Sequence, residues 1–63
     1  MKIPKQETII VSYIFEDVKS YVITRSTLGK YTLYKIVDND YEKLKTAETP
    51  VKFEEIIKND RGK

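Results

Sequence analysis

The 63-residue sequence contains no cysteine and no histidine, and each absence excludes a class of chemistry. Without cysteine the chain cannot form a disulfide, and it has no thiolate to offer to a metal or a substrate. Without histidine it lacks the commonest metal ligand and the commonest general base near neutral pH. We therefore expect no bound metal and no cofactor.

Glycine is nearly absent as well, which removes a second group of catalytic and ligand-binding motifs. The two glycines, Gly29 and Gly62, are isolated and cannot form a phosphate-binding loop, and no serine lies in a G-x-S-x-G context. The acidic segment 38–42 begins like a calcium loop, but Lys43 and Thr49 stand where that loop requires glycine and glutamate. These absences predict that the protein is not an enzyme.

Long apolar runs and a strong charge of one sign are also missing. No run approaches the roughly 18 apolar residues of a membrane span, and the N-terminus lacks a signal-peptide pattern. The net charge of +2 comes from 12 basic and 10 acidic residues, a balance that does not by itself indicate nucleic-acid binding. The excess of lysine over arginine is typical of AT-rich bacterial or phage genomes. We therefore expect a soluble cytoplasmic protein of such origin, with no membrane partner.

Four segments have the composition of β-strands. Residues 8–15, 20–26, 31–37 and 41–46 are rich in β-branched or aromatic side chains, and turn signals at 16–19, at Gly29 and at 38–40 separate them. Connections this short favour hairpins, and hence an antiparallel meander. The register of the last hairpin stays open, because a three-residue loop pairs Tyr34 with Leu44 whereas a two- or four-residue loop pairs Lys35 with Leu44.

Residues 50–58 predict a helix after the strands. Thr49 is a good N-cap, Pro50 suits the first helical position, and the apolar side chains that follow recur at helical spacing. A helix this short must dock on the sheet. The fold class is therefore α+β: a four-stranded antiparallel β-meander with one short C-terminal helix packed on one face. We predict a single domain over residues 1–63, with a polar leader at 1–6, the meander at 8–46 and a frayed tail at 59–63. The predicted core consists of Val11, Phe15, Ile23, Leu33, Phe53, Ile56 and Ile57.

The first strand is unusual because both of its faces are apolar. An antiparallel sheet normally has one apolar and one polar face, and one short helix can cover only one of them. The second face could be covered by curling into a small barrel, by another copy of the chain or by a different partner, or its side chains could simply stand singly on the surface. We expect a homo-oligomer, most simply a dimer formed by stacking sheets or pairing the edge of this strand. The predicted self-association residues are Ile10, Tyr13, Ile14 and Tyr34.

These observations predict a small non-catalytic protein-interaction module, a bacterial or phage accessory protein that binds itself or another protein. The alternative is a nucleic-acid-binding regulatory protein, because the segment GKYTLYK at 29–35 places tyrosines between lysines on a sheet surface. It does not match an RRM signature. The possible nucleic-acid contacts are Arg25, Lys30, Lys35, Lys43 and Lys45. High salt would weaken phosphate contacts but not apolar self-association.

Overall fold

One antiparallel sheet and one helix make up the part of the chain that the structure, a computed structural model, describes, residues 3–62. The four strands lie in the order in which they occur in the sequence, so each pairs with its neighbour through a hairpin. The predicted α+β meander with a C-terminal helix is confirmed. The elements are β1 (Glu7–Phe15), β2 (Val18–Ser26), β3 (Tyr31–Val37), β4 (Asp40–Ala47) and α1 (Phe53–Arg61).

The two outer hairpins turn through residues with a left-handed backbone. Glu16 and Asp17 have φ of 53° and 64°, and Asp38 and Asn39 have φ of 51° and 66°. Two consecutive positive φ values are what a type I′ hairpin turn requires, and the twist of that turn matches the twist of the strands. The middle hairpin instead uses Gly29, at φ 83°, where glycine has no steric penalty.

A bulge sets the register of the β3–β4 hairpin. Tyr34 pairs with Lys43 and Leu33 pairs with Lys45, so Leu44 is the extra residue. Neither pairing considered from the sequence occurs, because the two-residue turn fixes one register near the tip and the bulge shifts it by one further along. As a result Leu44 packs against the core on the helix side, next to Lys45, which faces the same side opposite Leu33.

The core lies between α1 and the central strands. Phe53 and Ile57 of α1 are buried against Tyr21 and Ile23 of β2 and Leu33 of β3. The predictions that Ile23, Leu33, Phe53 and Ile57 are core residues are confirmed. Tyr21 joins them because it follows the same alternation along β2.

Three other predicted core residues lie at the margin or outside. Phe15 and Ile56 are partly buried and pack against the edge of the core. The prediction for Val11 is wrong, since 41% of this residue is exposed. Val11 belongs to β1, an outer strand with a neighbour on one side only, so α1 above the central strands does not cover it.

The predicted start of the helix is also wrong. The residues after Thr49 form turns, in which the Phe53 amide donates to the Pro50 carbonyl at 3.1 Å. Lys52 occupies the N-cap position without a side-chain hydrogen bond. The docked side chain Phe53 therefore fixes where the helix begins, and the local N-cap signal of Thr49 is overridden.

The predicted frayed tail is ordered as helix as far as Arg61 because two of its residues bind the sheet. Asp60 forms an ion pair with Lys35 at 2.9 Å and accepts a hydrogen bond from the Tyr21 hydroxyl. The Arg61 guanidinium lies 3.7 Å from the ring centroid of Phe15. Residues 1–2 of the predicted leader and residue 63 of the predicted tail lie outside the described residues.

Candidate functional site

The outer edge of β1 is the most apolar exposed part of the sheet. β1 pairs with β2 alone, so its other edge has no strand beside it within residues 3–62. Ile9, Ile10, Val11 and Ile14, which we call the β1 surface, are between 41% and 61% exposed. No charged residue interrupts β1 from Thr8 to Phe15. A long, uncharged, apolar edge of this kind is a template for pairing with another strand.

A bulge in β1 distributes this apolar surface over both faces of the sheet. Ile9 pairs with Thr24 and Val11 pairs with Ile23, leaving Ile10 as the extra residue. Val11 therefore faces the helix side, like Ile23, whereas Ile9 faces the opposite side. Ile10 and Val11 also line a shallow groove of about 300 Å³ together with Val51, in the turn before α1. The bulge therefore decides which apolar residues share a face, since regular alternation would have placed Ile9 and Val11 together.

The opposite edge of the sheet has the reverse character. β4 carries Asp40, Glu42, Lys43 and Lys45 within eight residues. Charged side chains along an edge strand oppose edge-to-edge pairing, because a second strand would bring them together and desolvate them. The two free edges of the sheet are thus chemically distinct, and β1 is the one suited to association.

The face of the sheet away from α1 is largely covered within the single chain. Val22, Thr24, Thr32 and Tyr34 alternate with the core residues of β2 and β3, and each is at most 4% exposed. The ring of Tyr41 packs edge-on against that of Tyr34, with centroids 6.1 Å apart. The central strands therefore do not need a second copy to cover this face, and the largest group of neighbouring exposed aliphatic side chains on one strand lies on β1.

A hydrogen-bonded cluster around Glu7 organises the same face. Glu7 Oε1 accepts hydrogen bonds from the Thr24 hydroxyl at 2.5 Å and the Tyr34 hydroxyl at 2.9 Å. Burial, and secondarily the hydrogen bond to Glu7, raises the pKa of Tyr34 to about 12. The hydroxyl therefore stays protonated and donates at neutral pH. This cluster gives a buried polar group its partners and has a structural role.

The structure separates the four residues predicted for self-association. Ile10 and Ile14 lie exposed on β1, as a surface role requires. Tyr13 is half-buried on the helix side, where its ring stacks near that of Phe15 at 6.5 Å. Tyr34 has no exposed surface and cannot make the predicted contact in this conformation. Its position on a central strand accounts for this burial.

Sequence reasoning did not include Ile9 and Val11 in the exposed set. Strict alternation placed both on the same face of the strand as Tyr13 and Phe15, and Val11 was predicted to lie in the core. The bulge at Ile10 breaks that alternation, and nothing in the run of apolar residues marks where it falls. The absence of charge from residue 8 to residue 15 is the signal that could have identified the whole strand as the apolar edge.

The five basic residues predicted to contact nucleic acid do not form one patch. Arg25, Lys35 and Lys45 face the helix side by register, whereas Lys43 faces the opposite side across from Tyr34. Lys35 is paired with Asp60 on α1. Lys30 lies exposed in the connection before β3. With Tyr34 buried, this geometry gives the nucleic-acid hypothesis no support, and it stays an untested prediction.

Comparison with known proteins adds no further assignment. No protein-family model, curated protein or solved structure matches this chain. Among residues 3–62, no three acidic side chains come together in a group that could hold a metal ion. Within the same residues, no helix has the length and apolar character needed to cross a membrane.

Proposed function

We propose that this protein is a small non-catalytic interaction module that self-associates as a two-fold dimer through the outer edge of β1. The observation that carries the proposal is the β1 surface, in which four exposed aliphatic side chains lie along an edge strand that has no charged residue from Thr8 to Phe15. Single exposed apolar residues are common and need no explanation. Four of them within six positions of one edge form a patch of the kind that marks an interaction site.

Antiparallel pairing of two β1 strands would explain why both faces of this strand are apolar. A two-fold axis between the strands would join two four-stranded sheets into one continuous sheet of eight strands. The Ile10 and Val11 side chains of the two copies would then lie near one another on the helix side, and the Ile9 and Ile14 side chains of the two copies would do so on the other side. The charged β4 strands would form the outer edges and would stop further addition.

The test is the solution mass, measured by light scattering behind gel filtration at low and high salt. We expect a dimer that persists or strengthens at high salt, because apolar association does not weaken as counterions are added. Ile14→Glu and Ile10→Glu should each give a monomer, since both replace an exposed residue and leave the core intact. Leu28→Glu is the matched control: Leu28 is 86% exposed in the β2–β3 turn and is not part of the β1 surface, so this variant should leave the dimer unchanged.

A monomer of the unmodified chain at all protein concentrations tested would refute self-association. A dimer that Ile10→Glu and Ile14→Glu leave intact would refute the β1 edge as its interface. The circular dichroism spectrum of each variant should match that of the unmodified chain, which excludes unfolding as the cause of a change in mass. The cytoplasmic location expected from the sequence stays a prediction.

A further inference from the structure

A second groove lies at the other edge of the sheet, between β4 and α1. It encloses about 710 Å³, a volume within the range of roughly 300–1,000 Å³ that is typical of small-molecule sites. Leu44 and Ala47 of β4 form one wall, and Phe53 and Ile56 of α1 form the other. The walls are therefore aliphatic and aromatic, in a chain that is otherwise rich in charge.

The fold accounts for the groove. α1 packs through Phe53 and Ile57 over the central strands β2 and β3, so β4 projects beyond the helix. Ala47 is too small to fill the space that remains beside α1. The bulge in β4 turns Leu44 and Lys45 towards the helix side together, which gives this wall an apolar side chain and a cation next to each other.

The rim of the groove carries a net positive charge. Lys45 of β4 and Lys52, just before α1, line it as exposed side chains, with the single carboxylate of Glu55 beside them. An apolar lining flanked by two lysines complements a molecule with an apolar tail and an anionic head. An added peptide strand fits less well, because the charged side chains of β4 oppose pairing along that edge.

We propose that the groove between β4 and α1 binds a small amphipathic carboxylate, with its tail between Leu44 and Ile56 and its carboxylate near Lys45 and Lys52. The apolar walls would supply most of the affinity. The two lysines would supply the preference for an anion, since an ammonium group is a point charge that binds carboxylates without demanding one geometry. This site lies at the edge opposite β1, so the proposal does not depend on self-association.

The test compares three probes that share one tail and differ in the charge of the head: octanoate, octan-1-ol and octylammonium. Each is titrated at pH 7 into the full chain, and binding is followed by NMR of the methyl groups. We expect saturable shifts of the Leu44 and Ile56 methyl signals, with octanoate binding about fivefold more tightly than octan-1-ol, as two exposed ion pairs allow. Octylammonium should bind most weakly.

Reversal of the rim charge provides the decisive variant. Lys45→Glu with Lys52→Glu should invert the order, so that octylammonium binds more tightly than octanoate at the same methyl groups. Both lysines are exposed, so the fold should be retained. Lys30→Glu with Lys43→Glu is the matched control: it makes the same change in net charge at exposed positions that do not line the groove, and it should keep octanoate in first place.

Three results would overturn the proposal. The first is a set of shifts centred on Ile10 and Ile14, which would place the probe on the β1 surface. The second is equal binding of octanoate and octan-1-ol, which would remove the role of the lysines. The third is the same inversion in the control pair, which would show that net charge, and not the groove, selects the head group. None of these results bears on the solution mass.

Discussion

The hydroxyl of Tyr34 in β3 donates a hydrogen bond to Oε1 of Glu7 in β1, at 2.9 Å, across the intervening strand β2. The hydroxyl of Thr24 in β2 donates to the same oxygen at 2.5 Å. One carboxylate oxygen therefore connects three strands on the face that lacks the helix. Because Tyr34 and Thr24 are fully buried, their hydroxyl groups need this partner in the folded chain.

Tyr34→Phe should lower the free energy of unfolding by about 1 kcal/mol, the usual net contribution of one hydrogen bond. The substitution keeps the ring and its packing and removes only the donor. Glu7→Ala should have a larger effect, about 2 kcal/mol, because it leaves two buried hydroxyls without their acceptor. Urea unfolding measures both. Tyr41→Phe is the control, since the Tyr41 hydroxyl is outside this cluster. Equal losses from Tyr34→Phe and Tyr41→Phe would contradict the role of Glu7.

Stability should fall as the pH rises from about 10 to about 12, because two tyrosines hold their protons more tightly in the folded chain. Burial first, and hydrogen bonding to Asp60 second, raises the pKa of Tyr21 to about 12, and Tyr34 reaches the same value beside Glu7. In the unfolded chain a tyrosine loses its proton near pH 10. Between these values the unfolded chain binds fewer protons, so deprotonation favours unfolding, and the stabilisation is intact below pH 10.

Urea midpoints at about pH 9 and about pH 11.5, on either side of this window, measure the effect. Tyr34→Phe should reduce the fall in midpoint, because it removes one of the two groups with a raised pKa. Tyr41→Phe should leave the fall unchanged. A midpoint that stays constant between the two pH values, with the fold intact, would refute the raised pKa values of Tyr21 and Tyr34.

The strands and their order could be predicted from the sequence, because they depend on local features: the composition of each strand and the short connections between strands. The sequence placed β3 at residues 31–37, as observed. The sequence did not predict the ends of α1, because contacts between distant residues determine them. The helix begins at Phe53 and continues to Arg61 because its side chains dock on the sheet. The sequence also did not predict the two bulges, whose positions depend on pairing with the neighbouring strand. Half of the predicted contact set, Ile10 and Ile14, lies exposed. Tyr34 is buried on a central strand, and its hydroxyl is bonded to Glu7, 27 residues away.

Glycine at the second position of either left-handed turn should stabilise the chain. Asp17, at φ 64°, and Asn39, at φ 66°, adopt a backbone conformation that costs most L-residues energy and costs glycine none. Asp17→Gly and Asn39→Gly should each raise the free energy of unfolding by about 0.5 kcal/mol after the greater entropy of glycine in the unfolded chain is included. The effect should be smaller for Asn39, because asparagine tolerates this region better.

Thermal and urea unfolding measure these gains, and Lys43→Gly provides the control. Lys43 lies within β4, where glycine weakens a strand, so the same change in residue type should destabilise the chain there. A loss of stability from both Asp17→Gly and Asn39→Gly would show that contacts of the replaced side chains outweigh the backbone strain of the turns.

Arg61 holds the last turn of α1 against β1, since its guanidinium carbon lies 3.7 Å from the centroid of the Phe15 ring. Arg61→Ala should lower the free energy of unfolding by about 1 kcal/mol, from the loss of a cation–π contact and of the packing of its aliphatic stem. Lys58→Ala is the matched control, because it removes another cation from the last turn of the same helix. Both variants remove a cation that interacts favourably with the helix dipole, so the difference between them reports mainly the contact with Phe15. Arg61→Lys should fall between the two, since an ammonium group keeps the charge but cannot stack its plane on the ring. Equal losses from Arg61→Ala and Lys58→Ala in urea unfolding would show that charge at the helix end, and not the ring of Phe15, accounts for the stabilisation.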